Sequence, residues 1–186
     1  MNILIVVAHP DDEAFLFGGR MLELDHKYDV LVFTKGNWHN NELPRLNALL
    51  KSSKLFNFNI IKLDLFDDDF NQHLSVKKLI NKLKDLYGYD QVWTHSPFGD
   101  YHNHKHHSDV AYACSQTFGF NVRYFGLKHV FTDNWKMSGN TYNKKIKLLE
   151  KIYYKEYLKF SKIFQNYIFE EICCLGPSEV SMIYLL

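Results

Sequence analysis

The apolar positions of the chain fall into runs whose period changes regularly along the sequence. Ile3 to Ala8 is a continuous apolar run rich in β-branched residues that stops at His9-Pro10, as a strand buried on both faces of a parallel sheet requires. From Asp12 onward, Phe15, Leu16, Met21, Leu22 and Leu24 fit one helix, with Asp11 or Asp12 near its N-terminus and Gly18-Gly19 allowing close packing. The alternation repeats, with strands at Val30 to Thr34, Asn59 to Leu65 and Gln91 to Thr94 and helices at Pro44 to Phe56, Val76 to Tyr87 and Ser108 to Phe118. Asn121 to Phe131 reads as an aromatic-rich strand or loop region. Lys144 to Phe164 carries Ile146, Leu149, Ile152, Tyr153, Tyr157 and Phe160 at helical spacing, and a last strand is expected from Val180 to Leu185.

Such βα repetition predicts an α/β fold, a Rossmann-like three-layer sandwich with a mostly parallel sheet. No internal repeat, low-complexity stretch or break in composition divides the chain, and 186 residues suffice for one core, so residues 1–186 are expected to form a single domain. Ligands of open α/β sheets sit outside the carboxyl ends of the strands. His9 follows the first strand and His95 the fourth, which brings two distant polar clusters to one edge.

Charge excludes some partners. With 22 Lys+Arg against 21 Asp+Glu, nothing in the composition asks for a polyanion, and no nucleic-acid partner is expected. Cys114, Cys173 and Cys174 are odd in number, and the last two are adjacent, which suits a reducing compartment. The opening apolar run is too short for a signal peptide or a membrane span, so a cytoplasmic protein without a membrane anchor is expected. The loop after the first strand lacks the Gly-x-Gly-x-x-Gly that lets a backbone approach pyrophosphate, which disfavours a nicotinamide site.

The ten histidines are the anomaly. His9 and Asp12, three positions apart on a turn opening a helix, can point an imidazole nitrogen and a carboxylate at one ion. A catalytic zinc site has three protein ligands and an open position, and the segment Asp100-Tyr101-His102-Asn103-His104-Lys105-His106-His107 is the source of the third. Taken singly, each cluster also reads as a helix cap or a solvated loop.

Together these segments resemble the LmbE-like family, which includes the N-acetylglucosaminyl-phosphatidylinositol de-N-acetylases. Ala8-His9-Pro10-Asp11-Asp12-Glu13 matches its first signature in full, Gly18-Gly19, Thr34-Lys35-Gly36 and Arg45 resemble its next landmarks, and Thr94-His95-Ser96-Pro97-Phe98-Gly99-Asp100 followed by His104-Lys105-His106-His107 is similar to its second signature. The resemblance covers roughly the first 115 residues. It implies metal ligands at His9, Asp12 and His107 for Zn²⁺ or another divalent ion, a general base at Asp11, and a transition-state-stabilising, protonated imidazole at His104. Two positions depart from the family pattern, His106 where Asp is usual and Ala48 where Glu tends to occur, and His106 is open to roles as ligand or acid.

Further residues have weaker roles. Arg45 is expected to hold a substrate phosphate or sugar hydroxyl, with a solvated surface Arg as the alternative. His95 is either an orienting neighbour of the ligands or a hydrogen-bonded core histidine. Asp67-Asp68-Asp69 reads as a solvated acidic turn. The implied function is metal-dependent hydrolysis of an N-acyl group, in first place N-acetyl, on a small amino sugar or glycoconjugate. The alternatives are hydrolysis of another N-acyl or carbamoyl small molecule, or a non-catalytic binding module on the same fold.

Overall fold

A computed structural model describes residues 1–36, 42–66, 72–100, 103–126, 135–164 and 170–185. Its elements run β1 (Asn2–Val7), α1 (Asp12–Glu23), β2 (Lys27–Thr34), α2 (Glu42–Phe56), β3 (Asn59–Phe66), α3 (Val76–Leu83), β4 (Gln91–Thr94), α4 (Lys105–Phe118), β5 (Val122–Phe125), α5 (Gly139–Ile152), α6 (Tyr154–Phe164), β6 (Ile172–Cys173) and α7 (Pro177–Tyr184). The expected alternation is therefore present. Asp67–Asp69, Tyr101 and His102, and the part of the aromatic-rich region after Gly126 lie outside the described residues.

The strands make one six-stranded sheet in the order β3-β2-β1-β4-β5-β6. All neighbours are parallel except β5 and β6, which pair antiparallel through Tyr124↔Cys173 and Phe125↔Ile172. Strand order reverses direction between β1 and β4, and the crevice at such a switch point is where open α/β sheets bind ligands.

β1 shows why the sheet needs a helical layer on each side. Ile3, Ile5 and Val7 enter a core with Phe15, Phe17, Leu49, Phe56, Leu149 and Tyr153. Leu4, Val6 and Ala8 enter the opposite core with Leu79, Leu83, Val110, Cys114 and Val180. Side chains alternate across a strand, so a run buried on both faces must be apolar at every position, as this one is.

The C-terminal part corrects the sequence reading. Val180 to Leu185 belongs to helix α7, because Pro177 opens the element with its preset φ and Glu179 turns back to accept the Gly176 amide at 2.7 Å. The helical periodicity of 144–164 is real but broken at Tyr153, whose φ of −119° and ψ of 47° separate α5 from α6. α3 stops at Leu83 rather than Tyr87, and α4 starts at Lys105, before Ser108. Close packing at Gly18 and Gly19 is confirmed. A Cβ on Gly18 would lie 2.9 Å from the Phe56 ring, and one on Gly19 2.8 Å from Glu170 Oε1.

That last contact belongs to a buried ion pair. Lys145 Nζ donates to Glu170 Oε1 at 2.5 Å and to the Phe15 carbonyl at 2.7 Å. Glu170 in turn accepts the Gly19 and Arg20 amides at 2.6 and 2.8 Å. The pair stitches α5 and the segment before β6 to the middle of α1. Among the described residues, no helix is long and apolar enough to cross a membrane.

Candidate metal centre

The turn between β1 and α1 is held in an unusual backbone conformation. Asp11 has φ 149° and ψ −30°, a region that non-glycine residues rarely occupy and that persists only when its surroundings over-determine it. Glu13 supplies that constraint. Its Oε2 accepts the Asp11 amide at 3.0 Å, while its Oε1 accepts Ser52 Oγ and Tyr153 Oη, each at 2.8 Å. The break between α5 and α6 thus aims Tyr153 at the turn. Burial pushes the Glu13 carboxyl up to about 7, against the hydrogen bonds from Ser52 and Tyr153.

The loop between β4 and α4 is the other half of the site. Gly99 has φ 80°, and a Cβ there would fall 2.4 Å from the His104 amide nitrogen; only glycine lets the loop close through the His104 N–H to Gly99 carbonyl bond of 2.9 Å. The next residue, Asp100, is the hub. Its Oδ1 accepts the Ser96 amide at 2.7 Å, and its Oδ2 faces His95 Nδ1 at 2.5 Å and His107 Nδ1 at 2.8 Å, the latter off the alignment of a good hydrogen bond. Burial would raise the Asp100 carboxyl, but His95 and His107 hold it well below the usual carboxylate range.

His95, fully buried, orients the turn across the switch point. Its Nε2 receives the Ala8 amide at 2.8 Å. Burial opposes a charge on this ring, and Asp100 and Asp12 together push it up to about 9. The Ala8 N–H nevertheless leaves Nε2 no room for a proton of its own, so His95 stands as the Nδ1–H tautomer donating to Asp100. Both roles anticipated for it, orienting neighbour and hydrogen-bonded core histidine, describe the same ring.

Three donors converge in the crevice. His9 Nδ1 lies 3.1 Å from Asp12 Oδ2, His107 Nε2 lies 3.0 Å from His9 Nδ1, and His107 Nε2 lies 3.5 Å from Asp12 Oδ2. A tetrahedral ion with ligands at about 2.1 Å holds its donors about 3.4 Å apart, so the triangle has the size of a metal site. The donor chemistry agrees. With Asp100 on its Nδ1, His107 turns the Nε2 lone pair toward an anionic oxygen and a second ring nitrogen, a convergence that a cation relieves. Burial would raise Asp12, yet the imidazoles of His107, His9 and His95 around it hold it well below its ordinary value, and burial takes His107 down to about 4. Both therefore stand in the deprotonated forms that bind metal.

Two further groups of potential donors overlap this one, His9 with His104 and His106, and His95 with Asp100 and His107. In the latter, Asp100 is already committed to the Ser96 amide and to His95. His106 is buried, with Nδ1 3.3 Å from His9 Nε2 and Nε2 3.0 Å from the Gln72 carbonyl oxygen.

The expected catalytic pair lies beside the triangle. Asp11 is buried, and burial pushes its carboxyl up to about 7 even though Arg45 pulls it down. Arg45 Nη2 donates to Asp11 Oδ1 at 2.7 Å, so this arginine is not a solvated surface residue. His104 caps α4, its Nδ1 accepting the His106 amide at 3.3 Å, and its ring stacks on His107 with centroids 4.4 Å apart. Burial and the neighbouring His107 and His9 push it down to about 2. With Nδ1 accepting an amide and burial opposing a charge on the ring, these contacts favour a neutral His104 with its proton on Nε2 over the protonated form expected from the sequence. Asp100 and Glu13 stood inside recognised motifs without a role; only the folded loops show what they hold.

The family model for GlcNAc-PI de-N-acetylase, PIG-L, matches residues 4–118, which run from β1 through α4 and contain both halves of the site. Among solved structures, the conserved protein TT1542 from Thermus thermophilus is similar in fold, with a TM-score of 0.66 over 94% of each chain at 15% identity. With its two signatures folded onto one crevice and the family model spanning well over half of its length, the chain belongs to the PIG-L, or LmbE-like, family of de-N-acetylases.

Proposed function

We propose that this protein is a metal-dependent hydrolase that removes an N-acyl group, in first place N-acetyl, from a small amino sugar or glycoconjugate. His9, Asp12 and His107 would hold the ion, and two imidazoles with one carboxylate suit Zn²⁺. Once bound, a divalent ion supplies Lewis acidity toward an amide carbonyl and toward water. The observation that carries the reading is geometric: a buried carboxyl, Asp11, held by Arg45, adjoins a metal-sized donor triangle without being part of it.

The side chains then divide the work. Arg45 occupies Asp11 Oδ1, which leaves Oδ2 to take a proton from the attacking water and return it to the departing amine, general acid–base work suited to a pKa near the working pH. His104 donates a hydrogen bond from Nε2 to the oxygen that gains charge, as a neutral donor needing no protonation step. Arg45 Nε is buried with no hydrogen-bond partner among the described residues, 3.8 Å from Glu156 Oε1, and is the donor offered to a phosphate or hydroxyl oxygen of the substrate. The three cysteines are unpaired, which supports a reducing, cytoplasmic setting.

The test is an amine-release screen with zinc-loaded protein over N-acetylated sugars, sugar nucleotides and non-sugar N-acyl and N-carbamoyl compounds. We expect turnover of at least one N-acetyl amino sugar, abolished by chelation and restored by Zn²⁺. Turnover confined to non-sugar amides would move the substrate class, and binding without any release would favour the non-catalytic module.

A further inference from the structure

The second imidazole in contact with His9 has a defined hydrogen-bond direction. His106 Nε2 lies 3.0 Å from the Gln72 carbonyl oxygen. A carbonyl can only accept, so this nitrogen carries the proton. In a neutral ring the other nitrogen, Nδ1, then holds a lone pair, and it lies 3.3 Å from His9 Nε2, so a His9 whose Nδ1 is taken by an ion donates its Nε2–H to it. A His9 protonated on Nε2 has its lone pair on Nδ1, and Nδ1 is the atom 3.1 Å from Asp12 Oδ2 and 3.0 Å from His107 Nε2.

We propose that His106 is a positioning residue of the metal centre, a neutral relay from the Gln72 carbonyl to His9 that fixes the tautomer and ring plane of His9 so that Nδ1 faces the ion. The proposal rests on the reading of His9 as a ligand. His106 is suited to it by its setting. The ring is 1% exposed, its own amide is tied to His104 Nδ1, and its residue neighbours His107 in the first turn of α4, so one helical turn sets both the third ligand and the orientation of the first. Partners that fix a ligating imidazole's tautomer commonly change metal affinity by about 10–100-fold when removed.

The experiment measures tautomers and affinity, not turnover. In zinc-loaded wild-type protein labelled with ¹⁵N, two-bond ¹H–¹⁵N correlations are expected to show both His9 and His106 protonated on Nε2. Zn²⁺ affinity, measured by competition with a chromophoric chelator, is expected to fall about 10–100-fold in His106→Ala and to recover in His106→Asp, whose carboxylate accepts the same His9 Nε2–H. His106 protonated on Nδ1 in the zinc-loaded wild type, wild-type affinity in His106→Ala, or no recovery in His106→Asp would each overturn the relay. Should His106→Ala fail to fold, the wild-type tautomers and the His106→Asp affinity still decide. The control is His9→Ala. If it loses Zn²⁺ while His106→Ala does not, the relay alone fails, and if it keeps wild-type affinity, the ligand reading falls with it.

Discussion

Asp11 and Asp12 are neighbours of identical chemistry, and the backbone gives them different tasks. The φ of 149° at Asp11 turns its carboxyl toward Arg45, while Asp12 faces His9 and His107. The family resemblance separates the two carboxylates, and the strained turn shows how neighbours part, Asp11 to Arg45 and Asp12 to the His9 and His107 nitrogens. We expect Asp11→Asn to keep fold and bound Zn²⁺ and to lower amine release at least about 100-fold, the usual lower bound for a positioned base. Near-normal release would remove Asp11 from the chemistry. The guanidinium opposes the upward push of burial on Asp11, so deleting it disfavours the charged carboxylate further. Arg45→Gln should therefore move the acid limb of the kcat/KM profile to higher pH, and a limb that stays in place would detach Arg45 from Asp11. The amide contact of His104 was not legible in the sequence for a related reason, because it forms only when the first turn of α4 brings the His106 N–H to Nδ1.

At the scale of elements, β1, β2, β3, β4 and the helices between them were legible because burial on both faces forces continuous apolar strands and helical stripes. The C-terminal part was not. Val180 to Leu185 has a strand's composition, yet the capping at Gly176-Pro177 and Glu179 decides for helix, and the interruption at Tyr153 goes with a hydrogen bond from its hydroxyl to Glu13, near the other end of the chain. Glu13 itself links α1, α2 through Ser52, and the junction of α5 with α6. Its carboxyl rises from 4.5 to about 7 in the fold, so the folded state holds this proton more tightly than the unfolded chain. That contribution is full below pH 4.5, and as pH rises from there toward about 7 it is lost, on the order of 3 kcal/mol. Thermal denaturation of metal-free protein across this range should show a shallower decline in Glu13→Gln than in wild type; parallel curves would contradict the assignment.

At the scale of the whole molecule, the strand order places two sequence-distant loops at one switch point, and that placement was predictable from the βα alternation alone. What holds the C-terminal part onto it was not, since Lys145 and Glu170 look like surface charges in sequence and pair only after α5 docks on α1. Removing one member of a buried pair strands the other, so Lys145→Met should destabilise the protein by about 3–5 kcal/mol in urea denaturation, whereas a loss under about 1 kcal/mol would show the pair to be dispensable. The site reading turns on which residues hold the ion. Crystals of the zinc-loaded protein, with data collected across the zinc absorption edge, should show one ion held by His9 Nδ1, Asp12 Oδ2 and His107 Nε2, the nitrogens at about 2.0–2.1 Å and the oxygen at about 2.0–2.2 Å, with at least one position open. An ion held by His104 or His106 in place of Asp12 and His107, or closed in by four protein ligands, would contradict it.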